Sequence, residues 1–396
     1  MSDIATGKGE HIFVALQTDM STFVKPTTSN TIMVVQPPEF VQDPDIAANE
    51  ELTFSEAEEA GEFAGYKAGT WSLEAYLKLS GSPGVLSNMH PLLYAWYGRF
   101  TQNVGVDVRY QHYRLFNPRD AVVYLSVIVK KYFIVEFITG AWVNDGGFKG
   151  TSGKIQPINL SGFFLKKARA STAKLNTDID GTVTAVTTIP LKEPEAYKRF
   201  DVDAYIVVGT DDNSGEGFLI TAVDKATNTL TIEDGVTTVQ NEDSEIKGWS
   251  PVPAVLGEKL TTRNGWLNVN TGEAGLRKMG ITEFDFKVDN GFKANEDEMN
   301  DSDFTASTSR TGRKVTLTAS RYFRLEDTGF DYDIMQQTPT TYELNIGKEP
   351  GRMLLITGPN MRTQKKNESG KEEKKVGLDF KCHPDTGDDE STLILK

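Results

Sequence analysis

Residues 205–232 read YIVVGTDDNSGEGFLITAVDKATNTLTI, and this stretch decides the fold class. β-Branched and aromatic residues gather in short runs, separated by turn residues at Asp212-Asn213-Ser214-Gly215 and again at Asn228. Val, Ile, Thr and aromatics suit a pleated, half-buried surface, while Asp, Asn and Gly accept turn conformations. Antiparallel hairpins are the expectation.

Working outward, the surrounding segment from Lys174 to Trp249 is rich in Thr, Val and Asp, with fifteen carboxylates against six basic residues. Pro251 and Pro253 follow it. This shift in composition predicts a small β-domain at 171–253, inserted between two further β halves at 1–170 and 254–396. In the first half, His11 to Leu16, Thr31 to Gln36, Tyr66 to Leu79, Tyr110 to Leu115, Ala121 to Val129, Tyr132 to Ile138 and Leu160 to Leu165 carry strand patterns. Asn117-Pro118 and Lys130-Lys131 supply turns, and Gly146 to Gly153 reads as a Gly-rich loop. One helix is expected around Leu92, Leu93, Trp96 and Tyr97, with Ser87 as its cap and Gly98 near its end.

The second half repeats that order. Ile281 to Val288 alternates, then come an acidic loop (Glu296, Asp297, Glu298, Asp301, Asp303), an alternating run at Lys314 to Phe323, a short helix at Tyr332 to Gln337 and a strand at Thr341 to Ile346. Strand, acidic loop, strand, helix, strand thus occurs twice, a likeness of pattern without residue identity.

The chain has 396 residues, a formal net charge of −14 and a pI near 4.9. That balance argues against gripping nucleic acid, which is driven by Lys and Arg displacing counterions from phosphates. One cysteine, Cys382, excludes an intramolecular disulfide and a cysteine-ligated zinc site. No leader of basic then apolar residues opens the sequence, and Ala121 to Ile138 is interrupted by Lys130, Lys131 and Glu136, so it is no membrane helix. Synthesis and folding in a cytoplasm, without contact with a membrane, are expected.

No constellation for catalysis emerges. His11, His90, His112 and His383 lack metal-ligand spacing and read as surface or structural residues. Gly150-Thr151-Ser152-Gly153-Lys154 has Phe148 where a phosphate loop needs glycine and Ile155 where it needs a hydroxyl. Asp211, Asp212, Asn213 and Glu216 lack EF-hand spacing, so an ordinary turn is favoured over a calcium loop. No cofactor and no metal are predicted. Between Glu39 and Glu62 lie nine carboxylates (Glu39, Asp43, Asp45, Glu50, Glu51, Glu56, Glu58, Glu59 and Glu62) without one Lys or Arg. This run reads as an extended, solvated excursion. Lys365, Lys366, Lys371, Lys374 and Lys375, mixed with Glu368, Glu372 and Glu373, form an exposed tract suited to an acidic neighbour, including a second copy of the chain.

In order along the chain, FAGYKAGTWSLEAYLKLSG (Phe63 to Gly81), HPLLYAWYG (His90 to Gly98), FITGAWV (Phe137 to Val143), LSGFFLKK (Leu160 to Lys167), FKVDNGFKAN (Phe286 to Asn295), GRKVTLTASRYF (Gly312 to Phe323) and YELNIG together resemble the tail tube proteins of long-tailed bacteriophages. The resemblance covers most of residues 10–170 and 280–396. It implies a mostly-β, tail-tube-type sandwich or barrel, here with two pseudo-repeated tube domains, one or two short helices, and the inserted domain on the tube exterior. It also implies a structural virion protein, not an enzyme, whose sheets join edge to edge in stacked rings. DNA passes through such a lumen without specific binding, and tape measure and tail terminator or tip proteins are the further partners. With two tube domains per chain, trimeric, pseudo-hexameric rings are expected, hexameric rings being the alternative. The nine carboxylates from Glu39 to Glu62 would belong to the loop (Gln36 to Ala64) that reaches adjacent subunits or rings. A capsid-decorating or baseplate-hub protein is the competing reading, and a carbohydrate-binding or hydrolytic β-protein a third.

Overall fold

The structure, a computed structural model, describes residues 10–42, 44–48, 62–66, 68–114, 122–182, 184–254, 257–262, 264–270, 276–294, 308–371 and 373–396. Strands dominate it, and their pairing is antiparallel throughout the registers given below. The chain divides into two compact units: residues 1–32, 125–141 and 164–254 form the first, and residues 33–124, 142–163 and 255–396 the second.

In the first unit, one sheet runs Thr31–Ile32, His11–Leu16, Leu125–Lys130, the first half of Val135–Thr151, then Lys166–Ala170. A second sheet runs Thr172–Lys174, Glu245–Gly248, Tyr205–Val208, Phe218–Asp224, Thr229–Val236 and Val186–Pro190. The alternating apolar positions of both sheets close on one core. Phe13, Ile128, Val135 and Phe137 pack in the same cluster as Ile206, Phe218, Leu230, Ile246 and Trp249. The core of the Thr- and Val-rich segment therefore extends back across residue 171 to strands drawn from the first 141 residues. The hairpins expected from residues 205–232 are present, with Asn213, Ser214 and Asn228 at positive φ in the turns.

The second unit holds a longer path of hydrogen-bonded strands. It passes from Glu39–Val41 to Gly69–Tyr76, Pro157–Phe164, the second half of Val135–Thr151, Glu283–Asp289, Lys314–Tyr322 and Lys375–His383. It continues through the long strand Leu354–Ser369 to Thr340–Ile346, Trp266–Asn270 and Leu276–Gly280. A branch leaves Leu354–Ser369 through Thr392–Leu395 to Asp107–His112 and Gly98–Asn103.

Two local expectations need correction. Gly146 to Gly153 is no loop up to Thr151, because Val135–Thr151 is one continuous strand. Its glycines serve close packing: a Cβ on Gly146 would lie 2.6 Å from Leu160 Cδ2 and 2.7 Å from Trp96 Cε2, and one on Gly150 would lie 2.4 Å from the Phe284 ring. The helix His90–Tyr97 is present, but Ser87 does not cap it with its side chain. Met89 holds the cap position, Pro91 sits in the first turn, and Ser87 contributes only its backbone carbonyl, accepting from the His90 N–H at 2.9 Å. At the other end Gly98 adopts φ +98° with the Tyr113 ring against it, which only glycine allows. The second helix spans Gly329–Gln336. Among the described residues no helix is long and apolar enough to cross a membrane.

Candidate functional site

Period-2 alternation gives the sheet of the second unit two unlike faces. One is buried: Trp71, Leu73, Ile158, Leu160, Phe148, Phe286, Val288, Val315, Leu317, Leu378 and Phe380 point into the core. Trp71 fixes three strands at once, its Nε1 donating to the carbonyls of Trp142 and Phe163, each at 3.1 Å. Trp96 donates to the Val288 carbonyl at 3.4 Å and receives Asn290 Nδ2 on its own carbonyl at 2.8 Å. Trp71, Trp96 and Trp142 are thus core residues.

The opposite face is polar. Ser72 and Glu74, then Asn159 and Ser161, then Asp145 and Lys149, then Asp285, Lys287 and Asp289 follow one another on neighbouring strands. A groove of about 620 Å³ crosses this face, lined among others by Glu39, Glu74, Asp145, Asn159, Asp285 and Lys287. Both signs of charge are present. Lys149 stands opposite Asp285 in register, and Lys287 Nζ lies 3.4 Å from Asp285. Asp145 stands opposite Asp289 instead; partial burial, with Asp289 second, raises its pKa, against the pull of the Gly146 N–H and Lys287.

Of the nine sequence-predicted loop residues, Glu39, Asp45 and Glu62 lie among the described residues. Glu39 is exposed on the end strand Glu39–Val41 and borders the groove. Asp45 and Glu62 belong to a pair of strands, Pro44–Ala48 with Glu62–Tyr66, so this part of the excursion is a hairpin stem instead of unpaired chain. Its register is offset by one residue from that of Glu39–Val41 with Gly69–Tyr76, and together the two described strand pairs make a two-stranded arm at this end of the sheet. Asp43, Glu50, Glu51, Glu56, Glu58 and Glu59 lie outside the described residues, as do Asn117-Pro118 and the acidic loop at Glu296 to Asp303.

The basic tract lies on the hairpin formed by Leu354–Ser369 and Lys375–His383. Lys366 Nζ contacts Asp331 at 2.7 Å and Glu368 at 3.4 Å, so part of its charge is answered locally. Exposed apolar residues cluster elsewhere in the unit, at Val104 and Val106 in the turn after Gly98–Asn103 and at Tyr332 and Met335 on the second helix.

His112 Nε2 and Ser391 Oγ are 2.6 Å apart, the distance of a base and a nucleophile, but both are buried and His112 Nδ1 has no orienting partner. His90 is likewise buried, its Nδ1 3.0 Å from the Tyr110 hydroxyl. Asp211, considered as a calcium ligand, accepts from Asn213 N, Thr237 N and Thr238 Oγ1 at 3.1, 3.1 and 2.9 Å and so ties its own turn. Among the described residues no group of three or more His, Cys, Asp or Glu side chains is placed to hold a metal ion. The outgoing arm was signalled by charge; the polar face, hidden in the alternation of separate strands, could be assembled only through their pairing. No family model matches the chain, and no curated protein matches it.

Proposed function

We propose that the chain is a structural subunit that self-associates through its sheet edges into stacked rings, forming the hollow tail tube of a long-tailed phage, located in the virion. The observation that carries this reading is the two-stranded arm growing from an end strand of the sheet, in the part of the sequence where nine carboxylates occur without a basic residue. An arm on a sheet edge suits reaching a neighbouring copy, and a heterologous contact that closes makes rings. Among the described residues the groove on the polar face has no aromatic lining of the kind a sugar-binding site uses, which supports an assembly role over carbohydrate recognition. The net charge of −14 suits a channel past which DNA phosphates slide without adhering.

Three copies per ring are the proposed stoichiometry, six the alternative. Negative-stain microscopy of the purified full chain tests the reading. Hollow tubes are expected; discrete closed rings would favour the capsid-decorating or baseplate-hub role, and a monomer at all concentrations would rule the tube out.

A further inference from the structure

Along Gly69–Tyr76 and the short strand Lys78–Leu79 that follows it, Trp71, Leu73, Ala75, Leu77 and Leu79 enter the core, while Ser72, Glu74, Tyr76 and Lys78 alternate with them. Lys78 departs from its row, because only 5% of it is exposed. Glu258–Lys259 pairs antiparallel with Lys78–Leu79, and the register sets Lys259 directly opposite Lys78. Gly257, at φ +71°, lets the incoming chain approach this closely, since a Cβ there would collide with the Leu79 carbonyl oxygen. Lys259 Nζ sits 4.5 Å over the Tyr76 ring. Two lysines are thus held side by side, and among the described residues no carboxylate forms an ion pair with either. Burial first, and then the Lys259 charge, lowers the pKa of Lys78.

We propose that Lys78 and Lys259 together bind a doubly charged oxyanion of the phosphate class. The inference stands apart from the assembly reading. Like charges directly opposite each other oppose strand pairing, and an ammonium group withdrawn from water costs free energy unless a counter-charge meets it. The Tyr76 ring offsets part of that cost for Lys259. No side chain among the described residues does so for Lys78. One phosphate dianion answers both ammonium groups at once, whereas a carboxylate carries half the charge. Lysine suits this role as a point charge with three rotatable donors. The small exposed area of Lys78 favours a compact ion, free phosphate or the terminal group of a phosphate monoester, over a chain of phosphodiesters.

The test follows thermal melting of the full chain in inorganic phosphate up to about 10 mM, with chloride holding the ionic strength constant. The melting temperature should rise by about 2 °C, and acetate should need about tenfold more concentration for the same effect. Lys78→Met keeps the aliphatic stem and removes the charge. In chloride alone it should melt above the wild type, and it should lose the phosphate response. Lys259→Gln, at an exposed position, should weaken phosphate binding about tenfold, and it decides the question if the Lys78 variant fails to fold. Glycerol 2-phosphate tells the sources apart: a response equal to that of phosphate assigns the site to monoesters, and a response to phosphate alone assigns it to the free ion. A rise of equal size in the wild type and both variants is the general stabilisation that phosphate gives a folded chain and overturns the site. So does a wild type indifferent to phosphate, or one that responds as strongly to acetate.

Discussion

Asp145 and Asp289 stand directly opposite each other across the ladder between Val135–Thr151 and Glu283–Asp289. Like charges in that position oppose the pairing. Partial loss of water around Asp145 and the neighbouring Asp289 carboxylate both favour its protonated form, so its pKa lies above the ordinary value. The folded state then holds the proton more tightly than the unfolded one. Stability falls as pH rises from the unfolded pKa, about 4, through the raised folded value, and stays lower above it. Asp145→Asn should therefore stabilise the chain at pH 7 by about 0.5 kcal/mol. Urea midpoints at pH 7 and below pH 4 check this: the gain should shrink at the lower pH.

The close packing of Gly146 gives a second prediction. Leu160 could shift, but the Trp96 ring is held by the Val288 carbonyl and packs at 5.4 Å from the Phe148 ring. Gly146→Ala should cost about 2 kcal/mol through overpacking. Gly377, on the polar face, is the control: the nearest atom to an added Cβ there is the Asn367 carbonyl at 3.9 Å. Gly377→Ala should leave stability unchanged or raise it by a few tenths of a kcal/mol, about what reduced unfolded-state entropy gives. Thermal melts of both variants decide the point.

Strands were legible in several segments that alternate by themselves, though Thr31 to Gln36 is a strand only at Thr31–Ile32 and the strand expected at Tyr110 to Leu115 runs Asp107–His112. His11–Leu16 has the predicted bounds, and Lys314–Tyr322 and Thr340–Ile346 fall within a residue of them. Gly146 misled because a glycine kept small by a distant tryptophan carries the same letter as a glycine in a turn. Ser87 misled because capping depends on where the first turn begins, and Pro91 moved that start to His90. The shared core of Phe13 with Ile206 and Ile246 was invisible for a different reason. Composition reports a change along the chain, whereas a core is made by residues far apart in it. Of the candidate site, the acidic arm was readable as charge, but the groove depends on registers such as Lys149 with Asp285 that no single segment encodes.

Asp211 offers a test of the turn that resembled a calcium loop. Burial alone would push its carboxyl up, but the Asn213 and Thr237 N–H groups and the Thr238 hydroxyl outweigh that and lower it. The stability it contributes is present above the unfolded Asp pKa and is lost as pH falls through the lower folded value. Asp211→Ala leaves those donors without their acceptor and should cost about 2 kcal/mol at pH 7. Because the carboxylate is already occupied, millimolar-range calcium should leave the wild-type melting temperature where it was. A calcium-dependent rise abolished by Asp211→Ala would restore the metal reading.

His90 governs the response to mild acid. It lies between the Tyr94 and Phe100 rings, at 5.8 and 4.5 Å, with the Tyr110 hydroxyl on Nδ1, and burial lowers its pKa to about 4. The unfolded chain binds a proton there from about pH 6.5, while the folded one resists until about 4. Stability is therefore full above the unfolded value and falls as pH drops through this window, by about 3 kcal/mol from this residue. His112 adds to the same slope, since burial first and then Arg313, Arg310 and Arg99 push its pKa well below the usual range. Melting between pH 8 and pH 4 should show His90→Phe less stable than the wild type at pH 8, where the Tyr110 hydroxyl loses its partner. Near pH 4.5 the order should narrow or reverse, because the phenylalanine has no proton to refuse. If the slope survives both His90→Phe and His112→Gln, the carboxylates and not the buried imidazoles set the acid limit.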